Sequence, residues 1–249
     1  LFLGFLHAGH IGKGDPLPVF IGRLTSPALA EREDTPASLR GAAQELASTL
    51  PLTPGDRRLF DLILRESDRI DHIIHEFLDF TRETPLCPRP LPLAGLLGEI
   101  HLLLRQRASA DAVMIEMECP RELRVQADYE QLKRVLLNLG INALESLPAS
   151  GGRVVFRAWP TGHPPAGRPT PAFPAPLSGG GVVVECQDNG SGISPEHQAR
   201  LFEPFFTTKT RGTGLGLALV KNVVVRHLGL VVSRSSPGQG TTFSLWFPP

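Results

Sequence analysis

Apolar residues recur along this chain in two periods, and the switch between them divides it. From residue 35 to about 82 the steps are three and four. Thr35 caps and Pro36 opens a predicted helix that puts Leu39, Ala42, Ala43, Leu46 and Leu50 on one side. Pro51 and Pro54-Gly55 end it. Asp56 caps a second helix, whose Leu59, Ile63, Ile70, Ile73, Phe77 and Phe80 form a coiled-coil seam, with Glu66 the one polar interruption. About 26 residues would span roughly 39 Å. A lone hairpin of this kind leaves an apolar stripe uncovered. Pairing two hairpins into a four-helix bundle covers it, which predicts a homodimer.

Beyond residue 94 helices and strands alternate. Leu91 to Arg107 reads as a helix, 113–119 as a strand and 124–127 as a short edge strand. Asp128 to Leu147 is an amphipathic helix with an apolar face at Leu132, Val135, Leu136, Leu139, Ala143 and Leu144, opened by Asp128 and Gln131 as a capping box. Strands follow at 153–159 and 182–187, a helix at 215–227, and a closing hairpin in which PGQG joins LVVSRSS to TTFSLWF. The predicted class is α+β. Residues 1–33 are an irregular lead-in, 34–84 the hairpin, 85–94 a proline-marked linker and 95–249 the α/β domain.

Composition changes this picture little. Lys plus Arg and Asp plus Glu are both 25, so no global field draws the chain to nucleic acid or to an anionic membrane. The 25 Gly and 24 Pro are concentrated locally, most of all in the loop at 159–181. Three scattered cysteines give neither a disulfide framework nor metal-ligand spacing, and imply a reducing cytoplasm. His7 and His10 lack a third ligand nearby. No apolar run is long enough for a membrane helix. The chain starts at Leu, and is expected to be the cytoplasmic part of a longer sensor or complete in itself.

The chemistry gathers in two places. Asn138 and Asn142 are four residues apart and share a helix face. An amide oxygen there suits Mg²⁺, which completes its shell with phosphates and water; a pair of solvated asparagines is the plain alternative. The stretch from Asp188 to Val220 holds the rest. A carboxylate at a strand end, Asp188, can accept from the amino group of adenine where guanine offers a carbonyl. Gly190 and Gly192 form a turn that gives a base room. Gly212, Thr213, Gly214, Leu215, Gly216 and Leu217 open a helix whose amides can hold phosphates. Between the turns, Phe202, Phe205 and Phe206 would anchor a mobile lid from which Lys209 or Arg211 reaches a phosphate.

These segments together resemble the two-component sensor histidine kinases. QLKRVLLNLGINALESLP resembles the N box, DNGSGI and GTGLGLALV the two glycine boxes, LFEPFFTTK the F box and PGQGTTFSLWFP the C-terminal hairpin. The nearest flavour is the NtrB-like and PilS-like kinases. The resemblance implies a dimeric helical hairpin followed by a GHKL-type α/β sandwich that binds ATP and Mg²⁺. Asn142 would hold the metal and Asp188 would read adenine. Ile193, Phe202, Thr208, Lys209, Thr213, Leu215, Leu217 and the five glycines would line the nucleotide, and Asn138 and Lys209 would serve the transfer. A response-regulator receiver domain would take the phosphoryl group onward. Hydrolases of the same fold carry a Glu one turn before the metal asparagine. Asn138 stands there, and an amide cannot take water's proton.

Two departures stand out. The family's acceptor helix reads like AHEIRNPLASLRGAAQ; this chain reads LAEREDTPASLRGAAQ, with Ala30 in the histidine's place and Arg32 replacing an apolar residue. No histidine lies between His10 and His72; His72 and His75 are on the second helix. Leu228 also replaces a usual glycine. The acceptor gap leaves two expectations: a kinase passing phosphate to a histidine, or an acceptor-less nucleotide-binding partner of another kinase.

Overall fold

The computed structural model describes residue 41 and residues 54–81, 85–108, 112–167, 171–173, 180–209 and 212–249, in two compact units that divide after Glu83. The lead-in, the predicted first helix apart from Gly41, Ala30, Arg211 and part of the proline-rich loop lie outside the described residues. No described helix is long and apolar enough to cross a membrane.

In the first unit helix α1 runs Pro54–Thr81. Pro54 and Gly55, expected to break the chain, are its first two residues, because the first turn has no helical partner for the missing proline N–H. The expected seam is covered toward its C-terminal end, where Ile73 and Phe77 are half-buried. Phe60, Leu64 and Ile74 are half-buried and Ser67 is buried, whereas Leu59, Ile63 and Ile70 are 60, 48 and 47% exposed. Helix α1 thus carries two adjacent apolar stripes.

The first strand of the second unit falls inside the expected linker. Arg89–Pro92 form strand β1, paired antiparallel with β3, Arg124–Ala127. A two-stranded ribbon consists of edges, the one sheet setting that admits proline. The following helix α2 is therefore Leu93–Arg107, two residues shorter than the pattern predicts. Strand β2, Val113–Glu118, leads through β3 to helix α3, Tyr129–Ser146, and then to β4, Gly152–Pro160. Strand β5 is Val182–Asp188, α4 the short Pro195–Gln198, α5 Gly216–Arg226, β6 Leu230–Ser235 and β7 Thr241–Phe247.

The main sheet has the order β2-β4-β5-β7-β6, parallel only between β2 and β4. Leu93, Leu96, Leu97, Ile100 and Leu104 form the buried face of α2, and Leu132, Val135, Leu136, Leu139 and Ala143 that of α3. Both faces follow three- and four-residue steps. With Phe156, Leu245 and Phe247 from the sheet, all fully buried, each large side chain contributes about 1.5–3 kcal/mol. The proline-rich loop is closed at its neck, where Thr161 N–H donates to the Gly181 carbonyl at 2.9 Å and the Trp246 indole lies 3.0 Å from Thr161 Oγ1.

The ends of α3 and α5 meet. Asp128 Oδ1 accepts from Gln131 N–H at 3.2 Å, the expected half of the capping box. The Asp128 N–H goes elsewhere, to Nε2 of the buried His227 at 2.9 Å. A nitrogen that accepts carries no proton, so the ring proton is on Nδ1, 2.8 Å from the Val223 carbonyl. His227 thus ends α5 and caps α3 at once.

Leu228 follows with φ 58° and is 79% exposed. It closes the helix in the left-handed conformation, its N–H on Val225 and the Gly229 N–H on Val224, each at 2.9 Å. That position favours glycine, which explains the departure seen in the sequence as strain carried by this chain. Leu228→Gly is expected to raise unfolding free energy by about 1 kcal/mol, read by chemical denaturation; unchanged or lower stability would contradict it.

Candidate nucleotide site

One face of α3 organises the site. Asn138, Asn142 and Ser146 follow at four-residue steps, so they stand in a row about 12 Å long. Each meets a different segment.

At the C-terminal end, Ser146 meets the first glycine turn. Its Oγ lies 2.7 Å from the Ala143 carbonyl and 3.2 Å from Asp188 Oδ1, so one proton is shared between two acceptors. Its carbonyl accepts from Ser191 N–H at 3.0 Å. Asp188, the last residue of β5, is 5% exposed. Its Oδ1 also receives the Gly190 N–H at 2.8 Å and the Thr241 N–H at 3.2 Å. Burial pushes the Asp188 carboxyl above its ordinary pKa, and the bonds from Gly190, Ser146 and Thr241 pull it partly back. All these bonds fall on Oδ1, which fixes the carboxylate and leaves Oδ2 as an acceptor for a ligand.

The rest of that turn is held by the β6–β7 hairpin. Ile193 N–H donates to Ser235 Oγ at 2.8 Å, Gly238 N–H donates to the Ser191 carbonyl at 2.7 Å, and Gln198 Nε2 donates to the carbonyls of Ile193 and Ser235. Gly192 has φ 68°, and a Cβ there would collide with the Ser236 carbonyl. The sequence assigns Gly192 to making room for a base; its conformation is demanded by the chain's own hairpin.

In the middle of the row, Asn142 Oδ1 accepts from Lys209 Nζ at 2.8 Å, and Glu145 Oε2 accepts from the same ammonium at 2.6 Å. The lysine expected to reach a phosphate is here held by two acceptors of α3. Thr208 beside it is exposed. Phe202 packs edge-on against Phe243 with centroids 6.3 Å apart, and Phe206 lies under Arg200 at 4.6 Å. Phe205, expected as a third anchor, is 61% exposed with φ 66°. Its N–H instead donates to the Gly214 carbonyl at 3.0 Å, tying this segment to the second glycine turn.

At the N-terminal end, Asn138 Nδ2 donates to the Arg134 carbonyl at 3.0 Å. Its Oδ1 faces the start of α5, where a Cβ on Gly216 would come within 2.8 Å. Only glycine lets α5 begin this close to α3. Leu215, the N-cap of α5, gives no side-chain cap, while its own N–H donates to Thr213 Oγ1 at 3.3 Å. The first-turn amides of α5, from Gly216 and Leu217 onward, are those an anion would take. Gly212 N–H donates back to the Lys209 carbonyl at 3.2 Å.

The residues fit a divalent cation. The Asn142 oxygen already faces a positive charge, the Lys209 ammonium, in the place a metal would take. Among the described residues no group of three His, Cys, Asp or Glu offers another metal site.

Comparison with known proteins agrees with this geometry. Residues 127–249 match the model of the histidine kinase-, DNA gyrase B-, and HSP90-like ATPases, and residues 37–85 that of the His Kinase A (phospho-acceptor) domain. The chain belongs to the two-component sensor histidine kinases. Its fold is that family's helical region followed by a GHKL-type α/β sandwich. The histidine kinase ZraS of Escherichia coli is 31% identical over 92% of this chain and 46% of its own length. Sporulation kinase A of Bacillus subtilis is 30% identical over 91% of this chain and 34% of its own length. This chain thus spans less than half the length of these curated relatives. Among solved structures, full-length ShkA in complex with AMPPNP has a TM-score of 0.68 and 26% identity, over 93% of this chain and 46% of that one.

Sequence reasoning missed Glu145, Ser146, Thr241, Ser235 and Gln198. A signal existed for two of them: Ser146 is one further four-residue step along the Asn138–Asn142 row, and Glu145 lies three residues from Asn142.

Proposed function

We propose that this chain is the catalytic core of a sensor histidine kinase: it binds ATP with Mg²⁺ and transfers the γ-phosphoryl group to a histidine. The observation that carries the reading is the row on α3, which joins an oriented buried carboxylate at one end to uncapped helix amides at the other. The AMPPNP complex of ShkA supports the same occupant.

Asp188 Oδ2 accepts the amino group of adenine. The amides of Gly212–Leu217 and the N-terminal end of α5 take the phosphates. Asn142 holds the metal, which when bound neutralises phosphate charge. Lys209 adds positive charge near the transferring group once it leaves Glu145. The γ-phosphorus–oxygen bond to ADP breaks, a phosphorus–nitrogen bond to imidazole forms, and the proton on the other imidazole nitrogen passes to water. Asn138 cannot act as a base, so water is not activated and hydrolysis is disfavoured. The phosphohistidine then serves an aspartate of a response-regulator receiver domain. The exposed Leu59, Ile63 and Ile70 of α1 support pairing of two hairpins in a homodimer. A cytoplasmic setting suits ATP as donor. With Ala30 in the usual acceptor position, the acceptors available are His72, His75 or a histidine of a paired chain.

Two measurements check this. With labelled ATP, acid-labile and base-stable phosphate is expected on His72, His75 or an added hairpin bearing an intact acceptor motif, mapped by mass spectrometry. Nucleotide binding without label on any of them would overturn the kinase reading in favour of the acceptor-less partner. Separately, Asp188→Asn is expected to weaken ATP binding by at least about tenfold. The three donors at Oδ1 claim the amide oxygen, which turns an NH₂ toward the adenine amino group. Because the charged form of Asp188 is the better acceptor and its pKa is raised, wild-type affinity should fall as pH drops toward that raised value. Affinity of the Asn variant should lack this dependence. A variant that binds ATP like the wild type, with the same pH profile, would remove Asp188 from the adenine site.

A further inference from the structure

The contact between Lys209 and α3 joins two segments of opposite expected role. Lys209 belongs to the F-box segment and Asn142 to the candidate metal site, yet the ammonium nitrogen sits 2.8 Å from the Asn142 oxygen. A cation already occupies the face of the oxygen that a metal would use. The second acceptor is Glu145, 2.6 Å from the same nitrogen, on the turn of α3 that follows Asn142. Three residues of helix separate Asn142 from Glu145, so both point at one spot and hold one ammonium between them.

We infer that Glu145 is a positioning residue that holds Lys209 on Asn142 in the nucleotide-free protein, so that a metal–nucleotide must exchange with the lysine to bind. This rests on the reading of Asn142 as the metal ligand. Two cations on one amide oxygen repel each other, and the triphosphate offers the displaced lysine a stronger partner than one carboxylate. The exchange is therefore driven by the nucleotide's own charge. Glu145 sets its threshold: a carboxylate that binds Lys209 stabilises the empty state and opposes loading. Both side chains are substantially exposed, 40% for Lys209 and 50% for Glu145, so the contact is a modest brake rather than a lock. An exposed pair of this kind corresponds to a change of about two- to fivefold in an equilibrium.

The test is Glu145→Gln, which keeps the shape and removes the charge. In the nucleotide-free protein, limited digestion with a lysine-specific protease should cleave after Lys209 about two- to fivefold faster in the variant. Cleavage after Lys133 and Lys221, both inside helices, should be unchanged and serves as the reference. Affinity for Mg²⁺–AMPPNP should rise by the same factor, and that gain should vanish when Lys209→Gln is added. Unchanged cleavage after Lys209 would overturn the inference, and so would a loss of metal–nucleotide affinity, which would place Glu145 on the metal side instead. If the unaltered protein binds no Mg²⁺–AMPPNP, the nucleotide reading fails, while the cleavage comparison still decides on the Glu145–Lys209 contact.

Discussion

The four-residue repeat on helix α3 is the constraint from which the rest of the site follows. A helix is stiff, and side chains spaced by four keep a fixed distance and a common direction. Asn138, Asn142 and Ser146 therefore fix three points in a line, and each recruits its own partner: the start of α5, the F-box lysine, and the carboxylate at the end of β5. The helix can hold that line because the adjoining stripe is anchored by Leu132, Val135, Leu136 and Leu139 in the core. Its first turn is tied down as well, through Asp128 and His227. Polar chemistry along one stripe depends on apolar burial of the stripe beside it.

Asp188 shows how the fold solves a problem of desolvation. A buried carboxylate is costly unless it is hydrogen-bonded. Two backbone N–H groups and a shared hydroxyl meet that need, all at one oxygen. The second oxygen keeps its capacity to accept, in a fixed direction. The donors come from the turn after β5, from α3 and from β7, so the carboxylate reports the correct assembly of three elements. The β6–β7 hairpin matters for the same reason: Gly238, Ser235 and Thr241 reach the turn from outside the glycine motif.

Much of this was legible in the residues. The apolar face of α3, both glycine turns and the closing hairpin follow from period and turn chemistry. What escaped did so for physical reasons. Ser146 reads as an ordinary helix-end residue until Asp188, 42 positions later, is set beside it. Glu145 reads as a solvated charge until Lys209 arrives from 64 positions away. Strand β1 hides in prolines because an edge ribbon tolerates them. On α1 two apolar stripes lie side by side, and periodicity alone does not say which is covered within the unit and which stays exposed. Leu228 looked like a mere departure from a motif; its positive φ gives that departure an energetic meaning.

On the proposed reading, the α3 row sets both the place and the direction of a bound nucleotide. A crystal structure of this chain with AMPPNP and Mg²⁺ tests it most directly. Expected are the adenine amino group at hydrogen-bonding distance from Asp188 Oδ2, the metal on Asn142, and the phosphates on the amides between Gly212 and Leu217. Adenine bound away from Asp188, or phosphates lying at the Ser146 end of the row, would contradict it.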